Sequence, residues 1–459
     1  FLLPVMNNET IAAIATPQGK GALGIIRLSG KNAIALCSKV FKGKNLNIQQ
    51  SHTVHYGFIA DGDKILDEVM VSIFRAPKSF TTEDVVEISC HGSPFVLEQV
   101  LHLLLQHGAR LAQPGEFSQR AFMNGRISLA QAEAVADIIA SENEMQRKVA
   151  LQQMRGGYAK DLQQLRQQLI DYAALIELEL DFGEEDVEFA QREQLIDFIN
   201  HLQTHIAQLI DSFKTGNAIK EGIPVAIIGK PNAGKSTLLN ALLNEERAIV
   251  SEIAGTTRDS IEDVMHYKGF SFRFIDTAGI RETTDAIESI GVERALDKAR
   301  NASVVLYLFD VGATSVQELL AEIKSLNVVD AIVIPVANKI DKTTWKTTAA
   351  FAHISNIQFI AAAQNFNVEL LKESLYNLTT KNTSLSGNSA IVSNTRHYAA
   401  LVNANKALAK ATAGLTNKIS GELVAFDLRD ALEHLGSITG EVSNEEVLGS
   451  IFSRFCIGK

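Results

Sequence analysis

The segment Gly229-Lys-Pro-Asn-Ala-Gly234-Lys235-Ser236 has the spacing GxxxxGK[ST]. It follows an apolar, β-branched run, Ile223–Ile228, and precedes a helical pattern, Thr237–Leu243. That is the strand, loop and helix context in which glycine-rich backbone cradles phosphate. Backbone N–H groups of Asn232, Ala233, Gly234, Lys235, Ser236 and Thr237 are expected to wrap the phosphates. The Lys235 ammonium is expected to reach the β- and γ-phosphates, and the Ser236 hydroxyl to bind Mg²⁺. Three further segments follow in order. Gly255-Thr256-Thr257-Arg-Asp259 offers hydroxyls to Mg²⁺ from a loop. Asp276-Thr277-Ala278-Gly279 ends a strand, with Asp276 toward the metal shell and the Gly279 N–H toward the γ-phosphate. Asn338-Lys339-Ile340-Asp341 ends another strand, and the Asp341 carboxylate suits the N1–H and amino group of guanine. A site built on such bonds rejects bases that lack them by up to roughly 10⁴–10⁵-fold in the best cases, so GTP is expected rather than ATP.

These segments imply GTP hydrolysis, and the residues leave its catalytic group open. Ile280 occupies the position after Asp276–Gly279 and cannot orient water. Glu282, Asp285, Glu288 and Glu293 are the acidic candidates in the next stretch. Charge can be neutralised by Arg258 or Arg281, or by a monovalent cation held beside the phosphates by Asn232.

The elements that must position these groups are legible as changes of period. Up to about residue 124, short β-rich runs (Gly24–Leu28, Thr53–Ile59, Glu68–Phe74, Val85–Ser89) alternate with helical patches Lys31–Val40 and Phe95–Gln106, an α/β or α+β texture. From about 127 to 215 the apolar spacing becomes helical. Leu151, Met154, Tyr158, Leu162, Leu165, Leu169, Tyr172 and Ile176 predict one helix face, and Leu195, Ile199, Leu202, Ile206, Leu209 and Phe213 another. From Ile223 onward, strand-like runs at Ile223–Ile228, Phe270–Ile275, Ser303–Phe309, Ala331–Val336 and Ile357–Ala361 alternate with helices, the rhythm of a doubly wound α/β domain. Helical patterns return after the polar stretch Thr379–Ser389, through Leu423, Phe426, Leu432 and Leu435. The simplest architecture is an α/β domain inserted into a helical one.

Composition narrows the class. The chain has 459 residues, 46% hydrophobic and 21% charged, with a formal net charge of −10. This is a core-forming composition without an overall basic coat. Cys37, Cys90 and Cys456 lie far apart and form no CxxC pair, which argues against a disulfide framework or thiolate metal site and fits a reducing cytoplasm. No apolar run is long enough to span a bilayer, so no membrane association is expected. Met6 reads as the natural start, and Phe1–Val5 does not read as a signal peptide. Gly19-Lys-Gly21-Ala-Leu-Gly24 spells GxGxxG, but a strand follows it, so it reads as a turn and not as a dinucleotide fingerprint. The ending Cys456-Ile-Gly-Lys459 is not a prenylation box, and His91 has no metal-ligand spacing around it.

Further motifs carry a family resemblance over essentially the whole chain. They are Ala15-Thr16-Pro17, Pro114-Gly115-Glu116-Phe117-Ser118 with Arg120-Ala121-Phe122, Leu129-Ala130-Gln131-Ala132-Glu133-Ala134, Gly255–Asp259, and the terminal Phe455-Cys456-Ile457-Gly458-Lys459. With the nucleotide motifs, the sequence resembles the MnmE (TrmE) family of tRNA-modification GTPases. The resemblance implies a multidomain α/β plus α fold. Its parts are an N-terminal α+β tetrahydrofolate-binding and dimerisation domain (1–124), a helical domain in two halves (125–221 and 381–459), and an inserted Ras-like P-loop GTPase domain (222–380). It implies a cytoplasmic homodimer. With an FAD-dependent MnmG (GidA) partner, the family modifies carbon 5 of the wobble uridine in certain tRNAs, using a 5-formyl- or methylene-tetrahydrofolate.

The resemblance also implies site residues. Potassium replaces an arginine finger, with Asn232 matching the side-chain ligand and Ser251, Ile253 and Thr256 lying in the loop that completes the shell. Ser236 and Thr257 match the Mg²⁺ ligands, and Glu288 the residue that helps orient water. Arg27, Glu87, Arg126 and Lys459 match folate contacts, where a carboxylate suits the pterin donor edge and basic groups the glutamate tail. Arg126 stands where some members have lysine, which keeps the charge but changes the hydrogen-bond geometry. Ala361-Ala362-Ala363 stands where members carry Ser-Ala before a polar residue, leaving backbone groups for the guanine. Cys456 is the candidate nucleophile of the terminal motif. Two other readings of the nucleotide motifs make different demands on the rest of the chain. An RNA-binding or ribosome-assembly switch GTPase predicts a basic module, yet the C-terminal helices carry Glu422, Asp427, Arg429, Asp430 and Glu433. A membrane-remodelling GTPase predicts a basic amphipathic element, which is absent.

Overall fold

The computed structural model describes residues 9–181, 192–243, 263–275, 302–326, 328, 331–380, 391–417, 419–442 and 445–458. By spatial contact the chain forms two compact units. One comprises Phe1–Ile139, Gln153–Gln203 and Asn403–Lys459, the other Ala140–Gln152 and Thr204–Val402.

In the first unit the N-terminal segment builds β1 (Ile11–Ile14), β2 (Leu23–Ser29), helix α1 (Ala33–Val40), β3 (Phe41–Gly43), β4 (Thr53–Asp61), β5 (Lys64–Phe74), β6 (Val85–His91), α2 (Pro94–Gln106) and β7 (Arg110–Leu111). The described strands form one sheet in the order β3-β4-β5-β6-β2-β1-β7. Its pairs are antiparallel except β1 with β7. Antiparallel strands can bury one face and leave the other polar. Here Ile26 and Leu28 of β2, Ile88 and Cys90 of β6, and Val69, Val71 and Ile73 of β5 pack with apolar residues of α1 and α2. Alternation sends Arg27 and Glu87 to the opposite face. The glycines from Gly19 lead into β2, with the Gly21 N–H donating to the Gly92 carbonyl at 2.9 Å. A strand follows them, as the sequence predicts.

The start of α3 (Glu116–Met123) is fixed by charge. Glu116 is 8% exposed and Arg120 is 6% exposed. Glu116 accepts from Arg110 at 2.5 Å and from Arg120 at 3.0 Å, and the Gln113 N–H donates to it at 2.9 Å. Arg120 also reaches Glu83 at 3.0 Å. Burial alone would raise the Glu116 pKa, but Arg110, the Gln113 N–H and Arg120 hold it below the usual carboxylate range.

The helices that follow are α4 (Leu129–Ile139), α5 (Glu144–Met154), α6 (Gly157–Asp181) and α7 (Arg192–Glu221). The apolar series from Leu151 to Ile176 does not form one continuous helix face. Helix α5 ends at Met154, and Gly156 takes a φ of +110° before α6 begins. Only glycine adopts that conformation without strain, so two adjacent glycines break a stripe whose period runs on unchanged. Tyr158, Leu162, Leu169 and Ile176 of α6 are buried, whereas Met154 is exposed. Leu195, Ile199, Leu202, Ile206 and Leu209 of α7 form a buried row. In the helix Gly421–Thr439, Val424, Leu428 and Leu435 are buried, while Leu423 and Phe426 face solvent. The helix Glu445–Phe452 and Phe455 pack with Leu129 and Phe122, and the Gly115 N–H donates to the Cys456 carbonyl at 3.4 Å.

In the second unit β8 (Ile223–Ile228), α8 (Lys235–Leu243), the hairpin β9 (Asp263–Tyr267) and β10 (Phe270–Phe274), β11 (Val304–Asp310), β12 (Ile332–Asn338) and β13 (Gln358–Phe359) form a sheet ordered β13-β12-β11-β8-β10-β9. All pairs are parallel except β9 with β10. Parallel strands are covered on both faces. Val304, Leu306 and Leu308 face α8 and the helix Val368–Thr380, while Val305, Tyr307 and Phe309 face the helix Val316–Ser325. The run expected over Ile357–Ala361 is only two residues of strand, because Ala361 turns away to pair with Phe366.

Replacing Glu116 by Gln leaves two guanidinium groups facing a neutral amide in a mostly buried setting. Glu116→Gln is expected to lower unfolding free energy by about 3 kcal/mol at neutral pH, read from urea denaturation of the full chain. Because the folded pKa is depressed, the carboxylate stabilises above its unfolded pKa, and that contribution is lost as pH falls through the folded value. The difference between wild type and variant should therefore close in acid; a difference that persists there refutes the ion-pair account.

Candidate nucleotide site and N-terminal basic–acidic pair

Parallel α/β sheets place ligands at the C-terminal ends of their strands. Three such ends meet here. Strand β8 runs into the loop 229–234, β12 into Asn338–Asp341, and β13 into Ala361–Ala363. The Asn338 side chain joins all three. Its Nδ2 donates to the Ala233 carbonyl at 2.8 Å, and its Oδ1 accepts from the Ala362 N–H at 3.0 Å. Asn338 is 3% exposed, so neither half of its amide has water as an alternative partner. Gly234 lies against this amide with a φ of +101°, and a Cβ there would come within 2.5 Å of Asn338 Nδ2.

Lys339 takes a φ of +63°, which turns its side chain back over the loop. Its ammonium donates to the Asn232 carbonyl at 2.7 Å and to Asp310 Oδ2 at 2.9 Å. Lys235 Nζ donates to the Gly229 and Lys230 carbonyls at 2.7 and 2.9 Å, bent over the loop it belongs to. Lys230 points the other way and pairs with Glu318 and Glu322. Asp341 is exposed, touched by Gln364 Nε2 at 3.3 Å. Ser236 is half-buried and Thr237 exposed at the start of α8, and Ala361 and Ala362 are buried while Ala363 is exposed. The structure thus brings together Asn232, Ala233, Gly234, Lys235, Ser236 and Thr237 with Asn338, Lys339 and the segment Ala361–Ala363. Ser251, Ile253, Thr256, Thr257, Asp276, Thr277, Ala278, Gly279 and Glu288 lie outside the described residues, as do Arg258 and Arg281.

Asp310 was not singled out by motif. It is the last residue of the central strand β11, and strand-end position is the signal that points to it. Burial alone would raise its pKa. The Lys339 ammonium and the Gly312 N–H outweigh that and hold it below the usual carboxylate range.

On the N-terminal sheet, Arg27 and Glu87 are direct cross-strand partners of β2 and β6. Arg27 Nε and Nη2 donate to Glu87 Oε1 at 2.9 and 2.7 Å. The Arg27 Nη1 donates to the Gly458 carbonyl at 3.3 Å, and the guanidinium lies 5.7 Å from the Phe117 ring centre. Gly458 therefore sits beside this pair. Arg126 donates to the Ser79 carbonyl at 2.5 Å. Lys459 lies outside the described residues. Cys456 is exposed, while Cys37 and Cys90 are buried and burial raises both thiols to about 12. Of the three, only Cys456 is accessible to a substrate. Among the described residues, no group of three His, Cys, Asp or Glu side chains gathers to hold a metal, and no helix is long and apolar enough to cross a membrane.

The β8–β13 sheet with its loops, within the second unit, is thus a P-loop domain of the guanine-nucleotide-binding type, defined by its strand order, its phosphate loop and its Asn-Lys-x-Asp loop. A family model described as the MnmE helical domain matches residues 129–456, and one described as the GTP-binding protein TrmE N-terminus matches residues 10–126. The chain is 54% identical over 453 residues to a protein of Cytophaga hutchinsonii named tRNA modification GTPase MnmE, covering 99% of this chain and 98% of that one. It is 50% identical over 473 residues to a protein of the same name from Christiangramia forsetii, covering 98% and 99%. The chain belongs to the MnmE family of tRNA modification GTPases. Among solved structures, Era in complex with MgGDPNP and a 16S ribosomal RNA segment is 30% identical over 40% of this chain and 66% of that chain, with a TM-score of 0.27, too low to bear on the fold.

A carboxylate can accept from both the guanine N1–H and its amino group, and an amide cannot accept both. Asp341→Asn is expected to weaken GTP roughly a hundredfold or more and to improve binding of xanthosine triphosphate, whose 2-oxo group can accept from the new amide. Titration of fluorescent analogues of both nucleotides checks this; an unchanged GTP affinity contradicts the assignment.

Proposed function

We propose that the chain binds GTP in the loop 229–237, reads guanine with Asp341 and the backbone of Ala361–Ala363, and hydrolyses it to drive tRNA modification. The observation that carries this reading is the buried Asn338 amide, which ties the phosphate loop to the base-reading segments. Names of the Cytophaga and Christiangramia relatives support the tRNA part.

In this reading the G domain spans 222–380, the N-terminal domain 1–124, and the helical domain 125–221 with 381–459. Ser236 and Thr257 hold Mg²⁺. Asn232, with Ser251, Ile253 and Thr256, holds potassium, which supplies the positive charge that an arginine finger supplies elsewhere. The exposed position of Asn232 within the loop fits that role. Glu288 orients the attacking water, and Lys235 neutralises phosphate charge. The Arg27–Glu87 pair, with Arg126 and Lys459, receives a 5-formyl- or methylene-tetrahydrofolate. The pair is part-buried, with 23% and 25% of the side chains exposed, so it keeps surface for a ligand. Cys456 lies two residues from Gly458, whose carbonyl touches Arg27, which fits a role for the tail at the folate. A homodimer working with the FAD-dependent MnmG (GidA) subunit on wobble uridine, in the cytoplasm, completes the reading.

GTP turnover by the purified chain is expected to be fast in KCl and slow in NaCl at equal ionic strength. Equal rates in both salts would overturn the cation mechanism and shift attention to Arg258 or Arg281. Such a result would also favour the assembly-factor reading.

A further inference from the structure

Asp310 lies outside the motifs that define the nucleotide site, yet it holds one of the two ties between the base-reading loop and the phosphate loop. The first tie is the Asn338 amide, anchored by its own two hydrogen bonds. The second is the Lys339 ammonium on the Asn232 carbonyl, 2.7 Å away. A lysine ammonium on a four-carbon stem is flexible and strongly hydrated, so a single carbonyl does not fix it. What fixes it is Asp310 Oδ2 at 2.9 Å. The carboxylate is itself fixed: its Oδ1 accepts from the Gly312 N–H at 3.0 Å, and its backbone pairs in register with Asn338 across β11 and β12. Both ion-pair side chains are under one-third exposed, 28% for Lys339 and 29% for Asp310, so solvent screens the pair only in part.

We propose that Asp310 is a positioning residue for the guanine nucleotide: it pins Lys339 against the Asn232 carbonyl and so keeps the phosphate loop and the base-reading loop in one arrangement before the ligand arrives. The inference rests on the GTP reading of the site and adds to it a residue that touches neither phosphate nor base. A charged hydrogen bond is worth more than a neutral one, and its loss is read as nucleotide retention. The carboxylate acts only through Lys339, so its effect must vanish when the ammonium is gone.

The test uses the full chain and release of a fluorescent methylanthraniloyl GDP, with GTP turnover measured beside it. Asp310→Asn is expected to release the nucleotide about tenfold faster. The KM for GTP should rise by a similar factor, with kcat changed far less. In a Lys339→Met background, Asp310→Asn should add no further acceleration, the coupling expected of residues that act as one unit. Melting temperatures report folding. If Asp310→Asn unfolds, Asp310→Ser, whose hydroxyl can still accept from the Gly312 N–H, enters the same cycle. Unchanged release in the folded variant, or acceleration that adds fully to that of Lys339→Met, overturns the proposal. A wild-type chain that retains no guanine nucleotide overturns the GTP reading instead, so the two failures are distinguishable.

Discussion

The buried amide of Asn338 uses both of its ends, donating to Ala233 and accepting from Ala362. Three loops at three strand ends are held together by these two bonds. An amide in such a position has no water to fall back on, so losing either partner costs the desolvation of a buried polar group. The arrangement depends on β11 and β12 being parallel and in register, because Asn338 reaches the phosphate loop only from the end of β12. Gly234 has no side chain for the same reason: a Cβ would strike this amide. The geometry of the nucleotide site thus follows from one side chain and the sheet that aims it.

A comparable constraint organises the N-terminal sheet. Period-two alternation places aliphatic residues of β2, β5 and β6 on the helix-covered face and Arg27 and Glu87 on the other. Cross-strand register then makes those two charges direct neighbours. The buried Glu116 and Arg120, with the part-buried Arg110 and Glu83, anchor α3, whose Phe117 lies beneath the Arg27 guanidinium. The motif Pro114–Ser118 therefore has a structural explanation in Glu116 and Phe117 that needs no ligand. The C-terminal tail closes over the same area, with Phe455 in an apolar cluster and Gly458 against Arg27.

The nucleotide site and the Arg27–Glu87 pair each belong to a separate compact unit. Each is built largely from strand ends and strand faces, where backbone hydrogen bonding fixes position well. From outside, Lys230 of the nucleotide loop pairs with Glu318 and Glu322 on the helix Val316–Ser325. The phosphate loop therefore has charged contacts on two sides, Lys230 outward and Lys339 inward.

The amino-acid sequence by itself determined the order of the nucleotide motifs, the strand–loop–helix context of residues 223–243 and the period of most strands and helices. These are short-range properties, set by spacing and side-chain type within a few residues. It also predicted Arg27 and Glu87 as neighbours of one site, through a family resemblance and not through any local pattern. It misread the series Leu151–Ile176 as one helix face, since periodicity continues across Arg155–Gly157 while the backbone does not. Only the tertiary structure decided that Asp310 holds Lys339, that Asn338 bonds to Ala362, and that Gly458 meets Arg27. Those partners lie 29, 24 and 431 residues apart. Such pairings depend on strand order and register, and local sequence carries no information about either.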